Sequence, residues 1–255
     1  MKRNVLFLVG CLALTSHVHE AHANSSSKRL DGFAAITQTE WDVAERELSK
    51  LAASGKDRAR ASLGLARTRL ATGRYEEAVK DAARAASLDK RLRFDALPLQ
   101  AEALRRQGKI QEAIAVLLPF KDEPQARRLR LVLGDLYLES GRVEEAREVL
   151  LTLIDDYNDG SISKNDPEGL ALVGRAAHLL RSARDANDAF AESEKAGTLV
   201  ETLLWRAELF LEKYDPGHAE EVVREALDLA PNHPEALVLL ARVKLDQTLD
   251  FGAAE

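Results

Sequence analysis

Gly-Arg-Tyr-Glu-Glu-Ala at residues 73–78 is repeated as Gly-Lys-Ile-Gln-Glu-Ala at 108–113 and as Gly-Arg-Val-Glu-Glu-Ala at 141–146. In each copy the glycine suits the left-handed conformation that ends a helix. The acidic residues suit the positive end of the dipole of a second helix that starts there. The alanine lets that second helix approach its partner closely. The hexapeptide therefore predicts a turn between two packed helices.

Alanines extend this spacing along the whole chain, at intervals of 30 to 43 residues, most of them close to 34. The series is Ala44, Ala78, Ala113, Ala146, Ala189, Ala219 and Ala253. A period near 34 residues is typical of a helix–turn–helix unit that buries its apolar face only by stacking on copies of itself. We therefore predict an all-α solenoid in which Ala113 and Ala146 are buried at helix contacts.

These residues resemble the tetratricopeptide repeat family, whose repeats carry small residues at their eighth, twentieth and twenty-seventh positions. The alanine series matches the twentieth position. The eighth position is matched by Ala66, Ala101, Gly134, Ala177, Ala207 and Ala241. The twenty-seventh is matched by Ala85, Ala196 and Ala226, and departs from the pattern at Phe120 and Leu153. The resemblance implies a right-handed superhelical solenoid that binds other proteins.

The pattern divides the chain into successive repeats that end in an incomplete one. The expected bounds are about 25–58, 59–93, 94–126, 127–169, 170–199, 200–233 and 234–255. A solenoid needs a polar cap on its terminal face. Because the last repeat stops within its second helix, we predict that the repeat domain, residues 31–255, is cut off there.

The N-terminus predicts an export signal. Lys2 and Arg3 precede the apolar run 5–14, and Ala21-His22-Ala23 is a small-x-small cleavage site. Ten apolar residues are too few for a membrane-spanning helix, which needs roughly 20. We therefore predict a signal peptide at 1–23, a flexible leader at 24–30 and an exported protein, periplasmic or secreted, without a transmembrane segment.

A lipid anchor is the alternative for this segment. Leu8-Val9-Gly10-Cys11 resembles a lipobox, although the apolar run continues past the cysteine. Cys11 is the only cysteine, so cleavage after Ala23 leaves a chain without disulfides or thiolate metal sites.

Net charge and motif content narrow the functional classes. The net charge is −6, and removal of residues 1–23 makes it −7 because two basic residues and one acidic residue are lost. A negative chain is a poor match for nucleic acid, whose phosphates require a basic surface. The sequence has no nucleophile–base pair, phosphate loop or HExxH motif, so we assign no catalytic residue and no cofactor.

Two segments carry residue types that bind metals. The insertion 155–166 is similar to a calcium loop, but Tyr157 stands where a carboxylate is needed and Asp166 where a bidentate Glu is preferred. A turn-rich connector explains it better. His17, His19, Glu20 and His22 precede the cleavage site and would be discarded. We therefore predict no metal site.

The resemblance also implies a binding surface, since first-helix positions 2, 5, 9, 12 and 13 line the concave groove in that family. In the second to fourth repeats, arginines at these positions alternate with leucines. The predicted partner-binding residues are Arg60, Leu63, Arg67, Leu70, Arg105, Arg106, Arg128 and Leu131. Guanidinium groups can hold carboxylates bidentately, which predicts an acidic partner segment. The alternative is that these charges only solvate an exposed helix face.

The leading hypothesis is therefore a non-catalytic scaffold that binds a protein or peptide in its concave groove. Two alternatives stay open. The chain could be the recognition arm of a larger exported hydrolase or peptidase whose catalytic domain lies beyond residue 255, or an assembly factor that is lipid-anchored at Cys11.

Overall fold

A computed structural model describes residues 31–54 and 57–248, and this part of the chain consists of helices joined by short turns. The α-helices are α1 (Gly32–Thr37), α2 (Trp41–Ser54), α3 (Arg58–Ala71), α4 (Tyr75–Leu88), α5 (Arg93–Arg105), α6 (Ile110–Leu117), α7 (Arg127–Glu139), α8 (Val143–Asn158), α9 (Pro167–Leu179), α10 (Ala183–Ala196), α11 (Val200–Glu212), α12 (Pro216–Leu229) and α13 (Pro234–Thr248). Short 3₁₀ turns at Lys90–Leu92 and Leu118–Phe120 precede α5 and follow α6.

The helices form six consecutive pairs, from α1–α2 to α11–α12, followed by α13 as the first helix of a seventh repeat. Each second helix packs on its own first helix and on the first helix of the next repeat. Successive first helices also contact each other, whereas no contact of similar extent joins successive second helices in the described residues. The first helices therefore lie on the inner side of the curve. The predicted all-α solenoid is confirmed.

A left-handed residue ends the first helix of every complete pair. The backbone φ angle is positive at Thr39, Gly73, Gly108, Gly141, Arg181 and Tyr214, between 56° and 78°. The next residue then donates its N–H to a carbonyl five residues earlier, as Arg142 does to Tyr137 at 2.8 Å. This is the hydrogen bond of a Schellman cap. Glycine marks three of these turns in the sequence, and the other three contain side chains that the glycine pattern did not reveal.

Five of the seven alanines of the series are confirmed as buried at the interface between the two helices of a repeat. Ala113 and Ala146 are fully buried, each as the fourth residue of its second helix. One member was assigned wrongly: the fourth residue of α10 is Ala186, which is fully buried, and not Ala189. The spacing from Ala146 is therefore 40 residues, and the fifth repeat was placed three residues too late.

This shift also moves the other small positions of the fifth repeat. The residue that corresponds to Gly134 is Gly174, and not Ala177. Likewise, the equivalent of Ala85 is Ser193, which is fully buried and donates a hydrogen bond to the Pro167 carbonyl at 2.8 Å.

Glycine on a first helix makes room for a large side chain on the second. A Cβ atom on Gly134 would lie 2.6 Å from Leu150, and one on Gly174 would lie 2.5 Å from the Phe190 ring. Gly32 has the same relation to Leu48, at 2.7 Å. Real Cβ atoms do not approach other atoms this closely. Each of these three repeats therefore needs a glycine on the first helix opposite the bulky side chain on the second.

The predicted connector at 155–166 is partly helical. Helix α8 continues to Asn158, and the link to α9 begins after it. Ile162 from this link is buried against Leu170 and Val173, which ties the insertion to the core of the fifth repeat.

Several expectations concern residues outside the described part of the chain. They are the signal peptide at 1–23, the leader at 24–30, the lipobox at Cys11 and the incomplete helix at Ala253. Within the described residues, no helix is both long enough and apolar enough to cross a bilayer.

Glu220 links α12 to α13. Its Oε1 accepts hydrogen bonds at 2.6 Å from Lys244 and from Arg224. The hydrogen bond from Lys244, and after it the one from Arg224, lower the pKa of Glu220 to about 2 from an ordinary value of 4.5. A carboxyl group with a lowered pKa contributes stability above its unfolded-state pKa, and that stability is lost as the pH falls to its folded-state pKa.

We therefore expect Glu220→Gln to lower the free energy of unfolding by about 1 kcal/mol at pH 6, a value reduced for solvent screening. The difference from wild type should shrink between pH 4.5 and about 2. Urea unfolding across this range measures it. The matched control is the exposed neighbour in Glu221→Gln, which should change little. A difference between wild type and Glu220→Gln that stays constant down to pH 2 would contradict the assignment.

Candidate functional site

The inner face of the first helices is the candidate binding surface, and we call it the groove face. The eight predicted residues fall on or beside three of these helices. Four lie on α3, Arg105 and Arg106 lie at the end of α5, and Arg128 and Leu131 lie on α7. The structure separates them into paired arginines, unpaired arginines and core leucines.

Arg105 is engaged by three carboxylates of its own chain. It lies 2.8 Å from Asp135, 2.9 Å from Glu139 and 3.3 Å from Glu102. The first two belong to α7, so this arginine joins the third repeat to the fourth. Its side chain is about one-third exposed, which corrects the expectation that it is freely accessible.

Arg128 makes a fork-shaped contact across two repeats. Its two terminal nitrogens donate to the two oxygens of Glu201 on α11 at 2.8 and 2.7 Å, and its Nε donates to Glu168 on α9 at 3.0 Å. Burial by itself lowers the pKa of Arg128, but the hydrogen bonds and charge of Glu201 outweigh it and raise the pKa above its usual value. The guanidinium therefore stays charged, with both partners supplied internally.

Arg106 is paired in the same way. It donates to Glu102 on its own helix at 2.7 Å and to Glu235 on α13 at 3.1 Å. The second contact joins the third repeat to the seventh. The hydrogen bond to Glu102 is the main cause of a raised pKa at Arg106.

Arg60 and Arg67 differ from the other arginines. Both are exposed on α3, and neither has an ion pair among the described residues. The Arg60 guanidinium lies over the Phe33 ring, 5.2 Å from its centroid, which is a cation–π contact. Their spacing of seven residues places both on the same side of the helix. Both therefore retain exposed charge on the groove face.

The leucines were assigned to the surface, and two of them are buried. Leu63 is 7% exposed and packs in a cluster with Ala85 and Ala96, and Leu131 is 4% exposed against Leu150. Leu70 is half-buried. Because Leu63 and Leu131 hold neighbouring helices together, they are not available for contact with a partner.

The sequence reasoning missed the pairs of the fifth repeat. Arg175 donates to Glu208 at 2.6 Å, and the buried His178 ring lies 2.7 Å from Glu212. The hydrogen bond from His178 is the main cause of a lowered pKa at Glu212. Arg175 was overlooked because the fifth repeat was placed three residues too late, which moved this arginine off the groove positions.

Two of the carboxylates of the 155–166 insertion have partners within the chain that a calcium loop would not provide. Asp156 accepts from Arg130 at 2.5 Å and from Arg127 at 3.3 Å. Asp166 accepts from the Gly169 N–H at 2.9 Å as the N-cap of α9. In residues 31–54 and 57–248, no group of three or more His, Cys, Asp or Glu side chains is placed to hold a metal ion.

Stacked helix pairs with a small-residue seam and an inner charged face define an α-solenoid of helix–turn–helix repeats. Models of the tetratricopeptide repeat match residues 34–92, 104–175 and 200–243, which together are more than half of the chain. The chain belongs to the tetratricopeptide repeat family, whose members are typically non-catalytic scaffolds for protein interaction.

A solved structure gives a fold match of the same kind. A thermophilic tetratricopeptide repeat protein from Thermus thermophilus is 20% identical, with a TM-score of 0.56 over 73% of this chain and 99% of that one. A repeat protein from Parabacteroides merdae is 14% identical, with a TM-score of 0.48 over 88% and 89% of the two chains. PilF of Pseudomonas aeruginosa is 19% identical, with a TM-score of 0.46 over 83% and 94%. No curated protein matches the sequence.

Proposed function

We propose that this protein is a non-catalytic scaffold that binds an acidic protein segment on the groove face, with first contact at α3. The observation that carries the proposal is the exposed pair Arg60 and Arg67 on a first helix. Family membership supports the general role, and this pair supplies the chemistry of the partner. Guanidinium groups favour carboxylates in planar, bidentate geometry.

The other groove-face arginines have a different role in this proposal. Arg105, Arg106 and Arg128 are neutralised by carboxylates from other repeats. An acidic partner must displace these carboxylates before it can bind the arginines. Each displaced carboxylate is then left without its ion-pair partner. The partner therefore meets Arg60 and Arg67 on α3 first, since neither has an ion pair among the described residues.

The protein is expected to bind acidic peptides preferentially, and this preference should depend on Arg60 and Arg67 of α3. Display of random 12-residue peptides on phage, selected against the full chain, should enrich Asp and Glu. Arg60→Glu with Arg67→Glu should weaken binding of the enriched peptides at least about tenfold, which is about 1.4 kcal/mol. Fluorescence anisotropy measures the affinity, and added salt should reduce the association rate.

The control must change the same charge elsewhere. Arg147→Glu with Arg184→Glu alters two exposed arginines on the second helices α8 and α10, and these have no ion pair among the described residues. This variant should bind the peptides nearly as wild type does. Equal weakening in both double variants would show a non-specific effect of net charge and would contradict groove binding at α3.

Export is part of the proposal, since the sequence of residues 1–23 has the composition of a signal peptide. It places the scaffold in the periplasm or outside the cell. N-terminal sequencing of the mature protein distinguishes a start at Asn24 from a blocked, lipidated Cys11.

A further inference from the structure

Three contacts join repeats that lie far apart in the sequence. The Asn232 N–H donates to the Thr39 hydroxyl at 3.2 Å, which links the turn before α13 to the first repeat. Arg106 at the end of α5 meets Glu235 at the start of α13 at 3.1 Å. Arg128 on α7 reaches Glu201 on α11. The solenoid therefore curls until the turn before its last helix contacts the first repeat and the start of that helix contacts the third.

These contacts involve the groove face itself. Arg106 and Glu235 each occupy a groove position of their repeats, so their meeting brings the third and seventh repeats together across the inner surface. His233, from the same segment, is half-buried, and burial lowers the pKa of its ring. The segment from Asn232 to Glu235 is thus seated against the earlier repeats.

We propose that residues 232–235 form a latch that holds the solenoid closed on Thr39 and Arg106 and restricts access of a partner to the groove face. This inference rests on the proposed function, because it regulates the same surface. The latch bonds are few. Arg106 and Glu235 are 45% and 63% exposed, and exposed ion pairs contribute little to stability. A closure of this kind opens at small cost, whereas the packed helix pairs stay intact.

The acidic residue in the latch also explains how a partner could open it. Glu235 presents a carboxylate to Arg106, as an acidic partner segment would. A partner bound first at Arg60 and Arg67 and extending along the groove face would compete with Glu235 for the same guanidinium. Binding and opening are then coupled, because the partner reaches Arg106 only in the open form.

The test measures the distance between the ends of the full chain. Nitroxide labels are attached at Asp42→Cys on α2 and Asp228→Cys on α12, both exposed sites, in a Cys11→Ser background. Pulsed electron resonance should give a single narrow distance distribution at low salt. Thr39→Gly with Glu235→Gln should lengthen and broaden it. Glycine suits the left-handed turn at residue 39 and removes the hydroxyl acceptor together with the rest of the threonine side chain.

A matched control removes one carboxylate from the neighbouring second helix without touching the latch or the groove face. Glu221→Gln lies on α12, is exposed and has no ion pair among the described residues. It should leave the distance distribution unchanged. An unchanged distribution in the Thr39→Gly, Glu235→Gln variant, or an equal change in Glu221→Gln, would overturn the latch.

A second measurement separates the latch from the proposed function. A fluorescein-labelled octaglutamate peptide should bind the Thr39→Gly, Glu235→Gln variant roughly three- to tenfold more tightly than it binds Glu221→Gln, because the binding-competent form is more populated. Equal affinities with a lengthened distance would overturn the gating role. If octaglutamate binds neither protein while the distance still lengthens, closure stands and the acidic-partner function fails.

Discussion

Phe190→Ala is expected to lower the free energy of unfolding by about 3–5 kcal/mol, because it removes a large, fully buried side chain from a rigid interface. Phe190 packs with Ala177, Ala186 and Leu209, so its ring contacts both its own repeat and the next one. The neighbouring helices are held by their other contacts and cannot collapse fully into the space. Urea unfolding monitored by circular dichroism measures the loss.

The control for this substitution is a leucine of similar size on the surface. Leu151→Ala on α8 removes a side chain that is 40% exposed and should cost far less than Phe190→Ala. Comparable losses for the two variants would mean that the ring of Phe190 does not fill a close-packed site.

Gly174→Ala is expected to destabilise the protein by about 1–3 kcal/mol, although alanine is the better helix former. The new Cβ would lie 2.5 Å from Cδ1 of Phe190, and the ring is buried and has no free space to move into. The intrinsic gain from replacing a helical glycine is only about 1 kcal/mol. The steric cost therefore outweighs the gain in helix propensity.

The sign of this effect should reverse when Phe190 is absent. In the Phe190→Ala background the obstructing ring is gone, and Gly174→Ala should stabilise the protein by up to about 1 kcal/mol through helix propensity. Unfolding of the two single variants and the double variant gives the coupling energy. Additive effects would contradict the matched pairing of glycine and phenylalanine at this interface.

The fold could be predicted from the sequence because its determinants are local. The turn glycines at 73, 108 and 141 and the alanine five residues after each fix the start of the second helix. In the fifth repeat Arg181 takes the place of the glycine. Ala183, Ala186 and Ala189 then recur at three-residue spacing, so without the turn marker the pattern fits more than one alignment.

The resemblance to the family indicates which residues lie at groove positions. It does not indicate whether their charged side chains are free or paired within the chain. Whether Arg128 is free depends on Glu201, which lies 73 residues away and reaches it only through the curvature of the stack. That curvature is the sum of small rotations at many helix contacts. No short motif encodes it, and for the same reason the closure between residues 39 and 232 was not predicted.

The six left-handed turns contain different residues, and this difference affects the order in which the repeats fold. Glycine occupies the turn in the second, third and fourth repeats, whereas Thr39, Arg181 and Tyr214 occupy it in the first, fifth and sixth. A residue with a Cβ atom adopts this conformation at a cost of roughly 1–2 kcal/mol. Because repeat arrays nucleate locally and grow by adding neighbours, we expect folding to begin in the three glycine-turn repeats and to spread outward from them.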